Sequence, residues 1–265
     1  DAMEQSLASL SQAAPPISAD HPLVALDWPG QKLSSLMELS TRGNGTDIIL
    51  PLTPVQEGIL FQQHRNRISD GIYNQQVSLV VDGMMDEHNL ARAFERLVER
   101  HEALRTCFAE DADGYQVQLV KEKAILPIKW IDLPEDEADA KLEWAAVISD
   151  DECIPFDERR APLSRLTVGR QGKRWHLLWS HHHAILDGWS LPILLNELEL
   201  PEQEWAQLPP PVTRAPFWKW LATQRHPGRQ RARSDAWRQR FAGMDHATLV
   251  GAQLGQGNDS TKNNR

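Results

Sequence analysis

Two runs, "LSRLTVGR" (163–170) and "RWHLLWSHH" (174–182), stand on either side of "QGK". Both are rich in the branched and aromatic residues that suit a pleated surface, and a glycine-bearing turn between them predicts two joined strands. The chain is therefore committed to a sheet, and the second strand runs straight into "HHHAILDGWS". Further strands are expected in "YNQQVSLVVDG" and over 105–108, 115–120 and 128–131. Helical periodicity lies between them. In "DEHNLARAFERLVERHEAL", Leu90, Ala93, Phe94, Leu97 and Val98 keep the i, i+3, i+4 rhythm of one buried face, and Asp86 is placed to cap it. Thr53, Pro54 and Gln56 form a capping-box start for a helix running to about His64. "EDEADAKLEWAAVISDD" predicts another helix, and a further one begins near Ser190. Mixed strands and helices place the chain in the α/β (α+β) class.

Four stretches follow from composition along the chain. Residues 1–46, rich in Ser, Pro and Ala, are expected to be an interdomain linker, partly disordered, with a short helix near 32–39 and a break at "TRGNGTD". Residues 47–200 form the ordered body. Residues 201–250 supply a connector, extended at "LPPPVTRAP" because consecutive prolines block helix, and then helices over 217–224 and 235–242, the second capped by Ser234. Residues 251–265, rich in Gly, Gln and Asn, are expected to be a disordered tail. The net charge of −9 argues against general affinity for nucleic acid. No run approaches the roughly 20 apolar residues that span a bilayer. Only two cysteines are present, Cys107 and Cys153, so no disulfide framework can be read, and a reducing cytoplasmic setting is expected. The arginines of 225–240 are expected on a solvated helix face rather than at a nucleic-acid site, since no stacking aromatics of a known binding module interleave with them.

The three histidines admit three readings. Strand alternation would put His181 and His183 on one side and His182 on the other. A metal would need a third ligand; Asp187 is the only nearby candidate, and no Cys pair or second His cluster supplies a standard spacing, so no metal is expected. Packing at a strand end is the second reading. The third is a general base, since neutral imidazole accepts a proton near neutral pH when a partner holds it in place.

"HHAILDG" (182–188) resembles the HHxxxDG signature of the condensation domains of nonribosomal peptide synthetases, within the chloramphenicol-acetyltransferase-like acyltransferases. "LTPVQEGILFQ", "RHEALRTCF" and "PFDERRAPLSR" resemble other segments of those domains, in the same order. The resemblance covers about 50–198. It implies a chloramphenicol-acetyltransferase-like lobe, a mixed sheet flanked by helices. Because such domains hold two lobes, this chain is expected to be the N-terminal lobe with an upstream linker.

By that resemblance the catalytic group is His183, accepting a proton from or orienting an attacking amine, with His182, Asp187 and Gly188 beside it. Asp187 is expected in a buried pair with Arg105, as support for the turn. Gly188 is expected to allow close backbone approach. The reaction implied is amide formation between a donor thioester and an acceptor amine, both on phosphopantetheine of upstream and downstream peptidyl carrier proteins beside neighbouring synthetase domains, with no cofactor bound directly. "LTPVQEGILF" with "HHAILDGWS", and the linker "SADHPLVALD", resemble the subgroup taking a D-configured donor. The alternatives are a freestanding acyltransferase of this fold and a non-catalytic carrier-docking module.

Overall fold

The computed structural model describes residues 48–66, 71–83, 86–110, 114–211, 215–224 and 227–244. The expected linker with its short helix and break, apart from 48 onward, and the expected tail at 251–265 lie outside those residues. Among these described residues, seven strands form two sheets. In chain order they are β1 (Ile48–Pro51), β2 (Asn74–Asp82), β3 (Thr106–Glu110), β4 (Gln116–Val120), β5 (Ile128–Asp132), β6 (Ser164–Gln171) and β7 (Arg174–His182). The helices are α1 (Pro54–Asn66), α2 (Glu87–Arg100), α3 (Glu137–Glu152), α4 (Ser190–Leu198), α5 (Glu202–Trp205), α6 (Ala215–Gln224) and α7 (Pro227–Arg240), with a 3₁₀ turn at Glu102–Arg105.

The β6–β7 hairpin forms where the two runs predict it. Gln171 pairs with Arg174 across a two-residue loop, and Gly172 takes φ +57°, the left-handed conformation such a loop requires. The larger sheet has the order β2-β7-β6-β5. Its first pairings are antiparallel, while β5 runs parallel to β6 and reaches it through α3. This is the mixed sheet flanked by helices. As an inner strand covered on both faces, β7 is buried along nearly its whole length. Leu177 and Trp179 join the main core with Leu90, Phe94 and Leu97 of α2, where Phe94 meets Trp179 edge-on at 5.3 Å. Leu178 faces Ala140 and Trp144 of α3. The close seating of α3 needs Gly169 on β6, where a Cβ would fall 2.7 Å from the Leu133 side chain and 3.0 Å from Trp144.

The smaller sheet, β1-β4-β3, is antiparallel. β1 has no counterpart among the expected strands, because "IILP" is too short to show a period. Its edge position accommodates Pro51. The helix starts expected at Thr53 and Asp86 form as read: Gln56 N–H donates to Thr53 Oγ1 at 3.2 Å and Thr53 N–H to Gln56 Oε1 at 2.8 Å, while Asp86 accepts from Asn89 N–H at 3.0 Å.

The region after 200 departs from expectation twice. The connector contains the short helix α5, pinned to α2 by Glu202 on Arg92 and Arg96 and by the Arg96 guanidinium 5.2 Å from the Trp205 ring. The described residues from Thr223 belong to a second compact unit. There the helix expected over 235–242 is α7, which starts at Pro227 and passes through Ser234. A proline in the first turn lacks only an N–H that has no helical partner, so it starts the helix and Ser234 is no cap. The Trp237 and Phe241 rings stack with centres 5.3 Å apart.

Candidate active site

β7 ends in a tight turn clamped from both sides. His182 N–H donates to Leu163 O at 2.9 Å and His183 N–H to Tyr73 O at 2.8 Å, and Ile185 N–H returns to His182 O at 3.1 Å. The sheet therefore ends at His182, and the simple alternation expected for the histidines does not hold. His181 and His182 are both buried, while His183 lies in the turn with its side chain exposed.

The three imidazoles have different chemistry. Burial, and then the nearby His183, lowers the pKa of His182 to about 4; His181 is lowered to about 4 by burial and by the other two histidines. Both are neutral at pH 7. His182 Nδ1 accepts from Ala184 N–H at 3.2 Å, so the ring proton sits on Nε2, 3.1 Å from Gln63 Oε1. His183 has the opposite tautomer. Its Nδ1 lies 3.2 Å from Leu186 O; a carbonyl only accepts, so Nδ1 carries the proton. The Nε2 lone pair of an exposed ring is left as a proton acceptor.

Asp187 and Arg105 do not form the expected pair. Asp187 is exposed, and its Oδ1 accepts from Ser190 Oγ at 2.7 Å, Ser190 N–H at 2.9 Å and Trp189 N–H at 3.2 Å. The Ser190 hydroxyl above all holds the carboxyl below its ordinary pKa. The carboxylate closes the turn that leads into α4 and forms no buried ion pair. Arg105 donates instead to the carbonyls of Val98 (3.0 Å), Glu99 (3.4 Å), Lys121 and Glu122 (3.2 Å). Its cation thus sits on the C-terminal carbonyls of α2, where a positive charge is favoured, and ties that helix to the end of β4. Asp187→Ala is accordingly expected to cost about 1 kcal/mol, the net scale of a lost turn hydrogen bond, rather than the several kcal/mol of a broken buried pair. Chemical denaturation of the two proteins measures the difference. At Gly188 the φ is unremarkable and a Cβ would meet nothing within 4 Å, so the fold itself does not require glycine there.

Two supports escaped sequence reading. Glu197 on α4 receives His101 Nε2 at 2.6 Å and Arg100 at 3.2 Å, so "RHEALR" holds the helix after the turn through its first two residues. Asp151, 7% exposed at the end of α3, accepts from Arg165 Nε at 2.6 Å, Gln76 Nε2 at 3.0 Å and the Ser180 hydroxyl. Burial works against its charge, but these donors outweigh it and keep the carboxyl below its ordinary pKa. One signal pointed there: the last turn of α3, "SDDE", is acidic with no basic residue, against the helix dipole, and such a turn needs donors from elsewhere. Among the described residues no three His, Cys, Asp or Glu side chains form a group that could hold a metal, and no helix is long and apolar enough to cross a membrane.

The family model described as "Condensation domain" matches residues 47–265. The chain belongs to the condensation-domain family. This condensation domain is 36% identical over 194 residues to surfactin synthase subunit 2 of Bacillus subtilis (strain 168), covering 69% of the chain and 5% of that protein. It is 30% identical over 183 residues to bacitracin synthase 1 of Bacillus licheniformis, covering 66% and 4%. Among solved structures, the starter condensation domain of rhizomide synthetase superposes with TM-score 0.61 at 18% identity, covering 73% of this chain and 50% of that one. The first condensation domain of the calcium-dependent antibiotic synthetase, in complex with a substrate analogue, gives 0.61 at 21%, covering 73% and 48%. The chain thus spans 5% or less of these two synthetases and about half of the solved domains, one lobe of their fold.

Proposed function

We propose that this condensation-domain lobe presents the base for amide formation between a donor acyl or peptidyl thioester and the amine of an acceptor aminoacyl thioester. Both substrates ride on phosphopantetheine of carrier proteins, one upstream and one downstream. The observation that carries the reading is the contact of His183 Nδ1 with the Leu186 carbonyl: it places the ring proton on Nδ1 and leaves Nε2 as a lone pair on an exposed side chain. There it accepts the proton released when the amine attacks the thioester carbonyl, or holds that amine by hydrogen bonding. His182 serves as buried support, and Asp187 keeps the turn and α4 in register. The resemblance of "LTPVQEGILF" and "HHAILDGWS" to the subgroup with a D-configured donor supports that donor class.

In the natural polypeptide that carries this chain, His183→Ala is expected to slow amide formation by about 10²–10⁴-fold, the usual contribution of a positioned base, with the melting temperature unchanged. Quenched-flow assay of carrier-bound product measures it. A rate unaffected by the substitution, with carriers still bound, would instead describe a docking module. Acyl transfer from a soluble thioester without any carrier would describe a freestanding acyltransferase.

A further inference from the structure

We infer that Gln63 and Gln56, two residues of α1 whose hydrogen bonds reach the residues on either side of His183, are positioning residues for the base. They lie seven residues apart, two helical turns, and so project from one face of the helix. That face meets the turn at the two residues flanking His183. Gln63 Oε1 stands 3.1 Å from His182 Nε2. Gln56 Nε2 donates to Ala184 O at 3.0 Å. The backbone of residue 183 is thereby bracketed from α1 through the ring before it and the carbonyl after it.

The bracket is directional. The Ala184 N–H is a donor, so His182 Nδ1 must accept and Nε2 must carry the proton. Only the oxygen end of Gln63 complements that N–H. Reversing the amide would set donor against donor and drive the ring to the other tautomer, where Nδ1–H would oppose Ala184 N–H. Gln56 is fixed as firmly. Its oxygen accepts Thr53 N–H at 2.8 Å in the capping box, and its nitrogen also donates to buried Gln118 Oε1 at 3.0 Å. Gln118 in turn donates to Pro51 O at 2.8 Å. The His182 ring has little freedom to turn, with Tyr73 and Phe156 ring centres 6.1 and 6.5 Å away. The start of α1 and the turn after β7, more than a hundred residues apart in sequence, are joined by amide hydrogen bonds whose donor and acceptor roles are all determined.

The inference rests on the reading of His183 as the base, and its test separates the two. On this 265-residue chain, long-range ¹H–¹⁵N spectra are expected to show His182 as the Nε2–H tautomer. Gln63→Leu removes the acceptor and is expected to shift the His182 ring nitrogens. Gln63→Glu, of the same size, replaces the amide by a carboxylate and is expected to draw a second proton onto His182, costing the Ala184 bond. In the natural polypeptide, kcat for amide formation is expected to fall about tenfold in Gln63→Leu, the scale of one hydrogen bond, with KM for the acceptor thioester unchanged. An Nδ1–H tautomer in the parent chain, or ring signals unmoved in both variants, would overturn the inference whatever the chemistry at His183. Shifted signals with an unaltered kcat would overturn it too. Failure of the amide-forming reading would show separately, as a rate indifferent to His183→Ala.

Discussion

An Arg165→Met protein is expected to lose about 3–5 kcal/mol of stability, the cost of removing one partner of a buried ion pair. For a folded body of this size that lowers the melting temperature by about 10 °C or more. Arg165 Nε meets Asp151 Oδ1 at 2.6 Å, its Nη2 reaches the carbonyls of Asp151 and Ile154 at 2.7 and 2.9 Å, and its guanidinium stacks 4.2 Å from the Phe156 ring centre. Removing it leaves a buried carboxylate with only Gln76 and Ser180 as side-chain donors. The Asp151 and Ile154 carbonyls each lose one donor as well, keeping the Ile154 N–H and Asn74 Nδ2 respectively. Adding Asp151→Asn to Arg165→Met is expected to recover part of the loss, since the uncompensated charge goes with it. Calorimetry at pH 7 decides: a single variant within about 1 kcal/mol of the parent would mean that Asp151 does not anchor the structure. The charge itself is lost only below the ordinary carboxylate range. The folded pKa of Asp151 is lowered, so its contribution is complete above the ordinary carboxylate range and disappears as pH falls through the folded value.

The second large effect falls in a milder window. His181 and His182 have folded pKa values near 4 against 6.5 for a free imidazole. Below pH 6.5 the unfolded chain takes up protons that the folded chain refuses, so stability is complete above about 6.5 and falls as pH drops toward 4. Each pKa unit of difference is worth about 1.4 kcal/mol, and the two rings together are expected to cost several kcal/mol across that range. Urea denaturation at successive pH values measures the slope. His181→Leu, which removes one titrating ring, is expected to reduce it by about half. A midpoint constant from pH 7 to 4.5 would mean that the folded protein accommodates protons at this strand end.

The periodic elements are legible in the sequence because one physical pattern determines each of them. The apolar rhythm of α2, the capping box of α1 and the glycine-bearing hairpin turn are local, and each lies where the pattern predicts it. The departures share a different cause. β1 carries no period and is a strand only because β4 offers its edge. α7 begins at a proline whose favourable first-turn role competes with the capping serine. Around the turn, the residue types of "HHAILDG" point to a histidine site, but partnerships are tertiary. The nearest donors for Asp187 are its own next two residues beyond Gly188 and leave it no need of Arg105, while Arg105 finds four carbonyls. Asp151, Glu197 and Gln63 can be assigned only once strands and helices distant in sequence have been brought together.

That distance has a kinetic meaning. The turn after β7 is held by Tyr73, Leu163, Gln56 and Gln63, with separations of 119 and 128 residues for the two glutamine bonds. Chain entropy must be surrendered over those long loops before such contacts return any energy. A growing or refolding chain can thus build α2 and the β6–β7 hairpin early and still lack a formed turn. The proton-accepting geometry at His183 belongs to the last stage of assembly, so a partly folded chain would keep its secondary structure and carry an unshaped active centre.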